Sequence, residues 1–281
     1  MWDFLFKVKR FLKTLNDVGL VRVNYRVRYE IRKKFDNFLG PYFALFLCKL
    51  NFNNPEFILL LNPKNKFDLP PKRIDKEIEF NFLNDKKKLI NPIIWNSIEW
   101  ERLWQFNLHY FEWAREILED SIKKGYWVDK SSIIYPLMEQ WIKANPPGFG
   151  DGWHSYTLSL RCRNWIWLLN FCPSLLNKKI CDSLWDQLSW LKVHVEFCHG
   201  GNHLLENLIS LVMGSLHFKS KDAIKMYNFA LKKLKKELNE QILSDGGHEE
   251  RSASYHIQIL DRLIELYILI ESKKISSTDW L

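Results

Sequence analysis

The sequence predicts an all-α protein, an array of antiparallel helix hairpins preceded by a basic helix and an irregular stretch with short strands. Three observations predict it. From Trp95 onward, apolar residues recur at helical spacing in successive segments of similar length. The breaks between them are single Gly, Pro or polar clusters, so consecutive helices must fold back on one another. The chain has 281 residues with 47% hydrophobic and 26% charged content, enough for a sizeable core, and 11 Gly with 10 Pro are too few for long linkers.

Taken in order, residues 1–38 mix Trp2, Phe4, Leu5, Phe6, Phe11 and Leu12 with Lys7, Lys9, Arg10 and Lys13, the pattern of a basic amphipathic helix. The first fifty residues hold 11 Lys+Arg against 4 Asp+Glu, so about +7 of the formal +8 charge sits there. A basic surplus confined to one terminus does not suit a nucleic-acid groove. Two readings stay open for this helix: it packs on the main body, or it makes peripheral contact with an anionic membrane through residues 1–38. No apolar run approaches the ~18–20 residues of a membrane span, and no clear signal peptide is legible.

Residues 40–92 carry Asn54-Pro55, Asn62-Pro63, Pro70-Pro71 and Asn91-Pro92, which predicts loops. The period-two run 77–82 and the apolar run 57–61 predict short strands within them. Helices are expected over 99–123, 131–144, 154–171, 180–198, 203–218, 221–243 and 254–271. The organisation expected is therefore an N-terminal region, 1–94, and a helical domain, 95–281.

Two helices carry polar stripes. His203, Asn207, Ser210, Gly214 and His217 share one face of 203–218, and His154, Thr157, Arg161 and Asn164 share one face of 154–171. Neutral polar residues on apolar helices are either internal hydrogen bonders or the lining of a shared groove. Two polar turns favour the groove. Gly200-Gly201-Asn202-His203 opens one helix, where backbone N–H groups and the helix dipole favour a carboxylate. Asp245-Gly246-Gly247-His248-Glu249-Glu250-Arg251 precedes the last helix, which opens with Tyr255 and His256. Thirteen tryptophans mostly suit core filling, but Trp153, beside the His154 stripe, is a candidate platform for a sugar ring.

The sequence gives no sign of a metal or cofactor. His194, Cys198, His199 and His203 are close together, yet there is no HExxH or CxxC spacing, and Gly200-Gly201 interrupts the helix that would align them. P-loop, GxSxG and dinucleotide motifs are missing too. The five cysteines form an odd set without a disulfide or zinc framework.

Four segments together resemble the heparinase II/III-like polysaccharide lyases of the alginate-lyase-like group: WQFNLHY (104–110), WHSYTLSLRCRNW (153–165), GNHLLEN (201–207) and DGGHEERSASYH (245–256). The resemblance runs from about residue 95 to the end of the sequence. It implies an α/α toroid, here incomplete, followed in the family by a C-terminal β-sandwich that this sequence lacks. It also implies β-elimination from an anionic, uronic-acid polysaccharide, with a β-sandwich polypeptide as a candidate partner. Asn202 matches the asparagine that neutralises the uronate carboxylate, His203 the histidine beside it, and Tyr255 the tyrosine that serves as acid or base. Trp153, His154, Arg161, Asn207, His248, Glu250, Arg251 and His256 are expected to bind or shape substrate. An unperturbed tyrosine has a pKa of about 10, so a cation such as Arg251 or Arg161 is expected beside Tyr255. The resemblance points to the periplasm, with the cytoplasm as the alternative given the unclear leader. A glycan-binding scaffold, and a glycoside hydrolase using Glu206, Asp245, Glu249 or Glu250, are the competing functions.

Overall fold

The computed structural model describes residues 20–49, 55–63, 67–68 and 74–273. Among them are ten α-helices and two small antiparallel sheets, so the fold is all-α. The first nineteen residues, and with them the apolar and basic residues from Trp2 to Lys13, lie outside the described residues.

Helix α1 (Leu20–Leu39) accounts for the described part of the basic helix. It is followed directly by α2 (Pro41–Cys48), in a stretch where proline and asparagine content predicts loops. Pro41 sits in the first turn of α2, where its missing N–H costs nothing, so the residue that suggests a break starts a helix instead. Strand β1 (Glu56–Phe57) takes in only Phe57 of the apolar run 57–61, and it pairs with β4 (Phe218–Lys219). The expected strand 77–82 is present as β2 (Glu77–Phe82) and forms a hairpin with β3 (Asp85–Ile90). Ile78, Phe80 and Leu89 turn inward from this hairpin, and Phe82 packs on Trp104 at 4.9 Å.

The first helical segment is two helices, α3 (Arg102–Tyr110) and α4 (Glu112–Lys124), separated by Phe111 at φ 59°. Side chains from a later helix take the carbonyls released at this break. Arg161 donates to His109 O at 3.1 Å and Asn164 to Tyr110 O at 2.9 Å. The remaining helices follow the apolar periodicity: α5 (Ile134–Ala144), α6 (Ser155–Phe171), α7 (Lys178–Val193), α8 (Gly201–Leu216), α9 (Lys221–Gln241) and α10 (Ala253–Ser272). Asn177, Ser220 and Ser252 cap α7, α9 and α10 through side-chain oxygens, which explains why α7 starts two residues before the apolar pattern does.

Helices α6 and α8 form the centre. Every residue of α6 is buried except Tyr156 and Phe171, and every residue of α8 is buried except Gly201, Asn202 and His203. Neighbours α3, α4 and α7 pack around α6, while α7, α9 and α10 pack around α8. The polar residues of these covered helices turn to neighbouring helices: the α8 stripe bonds α6 through Ser159 and Asn170, which lie off the α6 stripe, while Arg161 and Asn164 of that stripe bond carbonyls of α3. Asn207 donates to Ser159 Oγ at 2.9 Å, and Ser210 Oγ donates to Ser159 O at 2.8 Å. His217 bonds Asn170 at 3.0 Å and Met213 O at 2.8 Å. The stripes are thus an internal seam, not the walls of a groove, because small polar residues let the two helices approach and bond directly.

Charged residues fix α10 onto this centre. Glu265 is buried between Arg163 (3.0 Å) and Arg115, and Arg262 Nε donates to the buried Glu206 at 3.0 Å. The arginines Arg163 and Arg262 come from α6 and α10 respectively, so each pair bridges two helices.

Candidate functional site

The partly exposed residues at the N-terminal ends of α6 and α8 are where polar chemistry meets solvent. These ends lie together, since α7 runs back between them and the Tyr156 and His203 rings stack at 4.2 Å. Behind His203 is Glu196, on the loop that joins α7 to α8. Its carboxylate is 1% exposed and faces three imidazoles: His203 Nδ1 at 3.5 Å, His199 Nδ1 at 3.5 Å and His154 Nε2 at 3.8 Å.

The loop holding Glu196 is pinned from the core. Asn207 accepts the Glu196 backbone N–H at 2.9 Å, and Ser155 Oγ donates to His194 O at 2.7 Å. Burial pushes the Glu196 carboxyl up, but the bond from His203 and the charges of His154, His203 and His199 outweigh it and hold its pKa below the ordinary value. Burial lowers the His154 pKa and favours the neutral ring, with Glu196 opposing in part. Burial, followed by the charge of Glu206, pushes Tyr156 up to about 12, so its hydroxyl stays protonated near neutral pH. Gln258 from α10 donates to Tyr156 Oη at 3.0 Å and to Glu206 at 3.1 Å, tying this tyrosine to the buried charge network.

The two polar turns expected from sequence do meet. Glu250 Oε1 accepts the Asn202 backbone N–H at 3.3 Å, and Gln241 donates to Gly201 O at 3.2 Å while bonding His248 at 3.1 Å. The close approach explains Gly201, which has φ +56° and where a Cβ would lie 2.7 Å from Glu250 Oε1. The N-terminus of α8, expected to hold an external carboxylate, therefore already has one from within the chain. Glu250 acts there as a cap, and the α8 end offers a ligand the side chains of Asn202 and His203 instead.

Other expected site residues also turn inward. Arg161 is fully buried, donating to Gln187 (2.8 Å), His109 O and Gly152 O (2.6 Å), with its guanidinium 3.8 Å from the Trp141 ring centre. Burial lowers its pKa to about 9. It braces helix ends and is committed to these partners, so it is not the free cation expected beside Tyr255. Asn207 positions the Glu196 loop. Trp153 is 6% exposed, with Trp141 stacked at 6.1 Å and Trp190 edge-on at 5.6 Å, so its ring faces are used by the core and not by a sugar. His248 is buried within its turn. His203, Asn202, His154, Arg251, Tyr255 and His256 retain exposure, and Tyr255 is 38% exposed at the start of α10.

Two clefts border this constellation. One, of about 560 Å³, runs from His154 past Arg102, Trp190 and Phe149 to Lys33 of α1. The other, about 570 Å³, lies along Asp245, Arg251 and His256. Among the described residues no group of three or more His, Cys, Asp or Glu has the arrangement to hold a metal ion. Instead, His194 from the sequence cluster points away to Asp36 at 2.6 Å.

Sequence reasoning missed Glu196, Tyr156 and Gln258. Tyr156 lay inside a quoted motif, two residues from His154. Glu196 could have been found as an acid flanked by His194 and His199 before a helix start, while Gln258 carries no signal outside its fold.

Comparison with known proteins identifies the family. The family model described as the heparinase II/III N-terminus matches residues 70–278, which includes all four quoted motifs and α10. A heparin-sulfate lyase of Bacteroides thetaiotaomicron is 28% identical over 224 residues, covering 70% of this chain and 31% of that protein. The chain thus spans about a third of the length of this curated relative, and no solved structure matches it. With the match covering most of its length and all of the site just described, the chain belongs to the heparinase II/III N-terminal family.

Proposed function

We propose that this chain supplies the helical part of a polysaccharide lyase that cleaves a uronic-acid polysaccharide by β-elimination. The observation that supports this reading best is the His203 environment: an imidazole at the open end of two buried helices, stacked on Tyr156 and backed by the buried Glu196. We read the hairpin array of residues 95–281 as part of an α/α toroid, with residues 1–94 as an accessory region.

The chemistry needs three events. The uronate carboxylate is neutralised, which acidifies the C5 proton; a base removes that proton; the C4–O bond breaks as the C4=C5 double bond forms, and the leaving oxygen takes a proton. In this proposal Asn202 and His203 meet the carboxylate, and Glu196 backs the His203 ring from within the core. Tyr255 transfers the proton. Arg251 and His256 border the same turn and contact the flanking sugar, while Tyr156, held protonated, donates a hydrogen bond. A hydrolase reading is less well supported, because Glu206 is buried against Arg262 and Gln258, and Glu250 caps α8.

The test is absorbance of unsaturated uronate during incubation with heparan-type, alginate-type and bacterial capsular polysaccharides, with the chain alone and with a β-sandwich polypeptide added. Tyr255→Phe should cut turnover by about 10²–10⁴-fold with an unchanged melting transition. Glycan binding without unsaturated product in any combination would instead make the chain a binding scaffold.

A further inference from the structure

The outward side of α1 and α2 has the reverse of an ordinary solvated surface. Successive helical residues turn by about 100°. The side of α1 that carries Tyr25, Tyr29, Arg32 and Asp36 packs on the body. Asp36 bonds His194 at 2.6 Å, Tyr25 stacks on Phe197 at 4.9 Å, and Tyr29 meets His199 edge-on. The opposite side presents Val27, Ile31, Phe35 and Phe38, spaced by four, four and three residues; Ile31 is 63% and Phe38 86% exposed. The apolar row continues onto α2, whose inner side buries Ala44, Leu45 and Cys48 while Tyr42, Phe43, Phe46 and Leu47 face outward. Eight large apolar side chains are thus exposed between residues 27 and 47.

Their flanks are basic. By the same rotation Arg28 lies to one side of the α1 row and Lys34 to the other. Helix α1 holds six Arg and Lys against Glu30 and Asp36. Both acids are engaged, Glu30 with Arg26 at 2.9 Å and Asp36 with Arg32 and His194. Helix α2 has no acidic residue. A second copy of the chain docked through this patch would place like charges against each other, whereas an anionic lipid surface pairs with the bases and takes the apolar row into its headgroup boundary. Among the described residues no helix is long and apolar enough to cross a membrane, so the surface-lying mode is the one these helices fit.

We infer that α1 and α2 form a peripheral docking surface for an anionic membrane, with the apolar row inserted at the interface and Arg28 and Lys34 against the headgroups. Because the inner side of α1 touches His194, Phe197 and His199, the docked membrane lies directly behind the loop that carries Glu196. The inference is independent of elimination chemistry and is tested without it.

The experiment is co-flotation of the full chain with vesicles of phosphatidylcholine containing 30% phosphatidylglycerol (~30% anionic lipid, a typical anionic charge density), against pure phosphatidylcholine, with sedimentation velocity in parallel. Expected are binding to the anionic vesicles at least tenfold stronger than to neutral ones and weakened by salt. Ile31→Glu with Phe38→Glu should reduce it at least tenfold with an unchanged melting transition, and Arg28→Glu with Lys34→Glu should remove the preference for anionic lipid. A salt-insensitive dimer dissolved by the Ile31 and Phe38 changes, or vesicle binding unaffected by either pair, or no vesicle binding, would overturn the inference.

Discussion

The two sides of the candidate site are built differently. On the α6–α8 side, Glu196, Asn207 and the base of His203 sit against buried partners: Asn207 spans Ser159 and the Glu196 backbone, and Glu206 with Arg262 extends the network to Tyr156 through Gln258. On the turn side, Arg251 and Tyr255 are exposed, and the turn is anchored by His248 on Gln241, by the Glu249 N–H on Gln241 O and by Glu250 on the α8 end. On the first side Asn207, Glu206 and Arg262 are committed to partners within the chain before any ligand arrives. The second is held along its backbone and by His248 and leaves Arg251 and Tyr255 at the surface. Changes on the first side should therefore register as stability and changes on the second as function.

The largest effect is expected at Glu265. Glu265→Ala leaves Arg163 and Arg115 facing each other without their carboxylate, and should cost about 3–5 kcal/mol in urea denaturation. A loss under 1 kcal/mol would mean that solvent reaches this pair and that the two sides are not so distinct. Next is the pH response. Burial holds the pKa of His217 down to about 4 and that of His109 down to about 3. Both are depressed below the unfolded value of about 6.5, so the unfolded chain takes up protons that the folded one refuses. Stability is then full above about pH 6.5 and falls as pH drops below it, by up to about 1.4 kcal/mol per pH unit for each histidine. The carboxylates Glu196 and Asp36, with lowered pKa values, act in the opposite region: their contribution is present above about pH 4.5 and fades below it. Stability measured from pH 8 to 4.5 should thus decline before Glu196 and Asp36 titrate, and His217→Asn should flatten the decline.

Asn207→Ala should follow, costing about 1–3 kcal/mol because the Glu196 N–H and Ser159 lose a buried partner. It should also loosen Glu196 behind His203 and lower turnover through position, not contact. The smallest stability effect is expected from Arg251→Ala, within about 0.5 kcal/mol, while affinity for uronate oligosaccharides measured by calorimetry falls. If Arg251→Ala destabilised the fold as much as Asn207→Ala, the contrast between the two sides would be gone.

The helical pattern was legible wherever burial imposes a period: α5, α6, α8, α9 and α10 lie within three residues of where apolar spacing puts them, whereas α7 ends at Val193, short of the expected 198, and leaves Glu196 on a loop. The break at Phe111 was not, because no Gly or Pro marks it and its cause is contacts from α6. Helix α2 was hidden because residues 40–92 were read together as loops from the Asn-Pro and Pro-Pro pairs further along, although 41–48 is an apolar run that opens with Pro41 in a first turn. In the site, the motifs led to His154, Asn202, His203 and Tyr255 as neighbours of polar turns. Periodicity could place Arg161 and Asn207 on a helix face but could not tell whether that face met solvent or another helix, and the answer depended on small partners such as Ser159. Glu196 was passed over for a related reason: His194 and His199 flank it in sequence, but its role shows only when three histidines from separate positions converge on it.

Phe111 carries one last implication. Uninterrupted, residues 102–124 would form a single rod whose carbonyls at 109 and 110 close its own ladder. Because Arg161 and Asn164 claim those oxygens, the length of one helix is specified by side chains belonging to another. The boundary is a tertiary instruction. An isolated peptide of 102–124 should therefore run straight through Phe111, and the joint should appear only once α6 has docked.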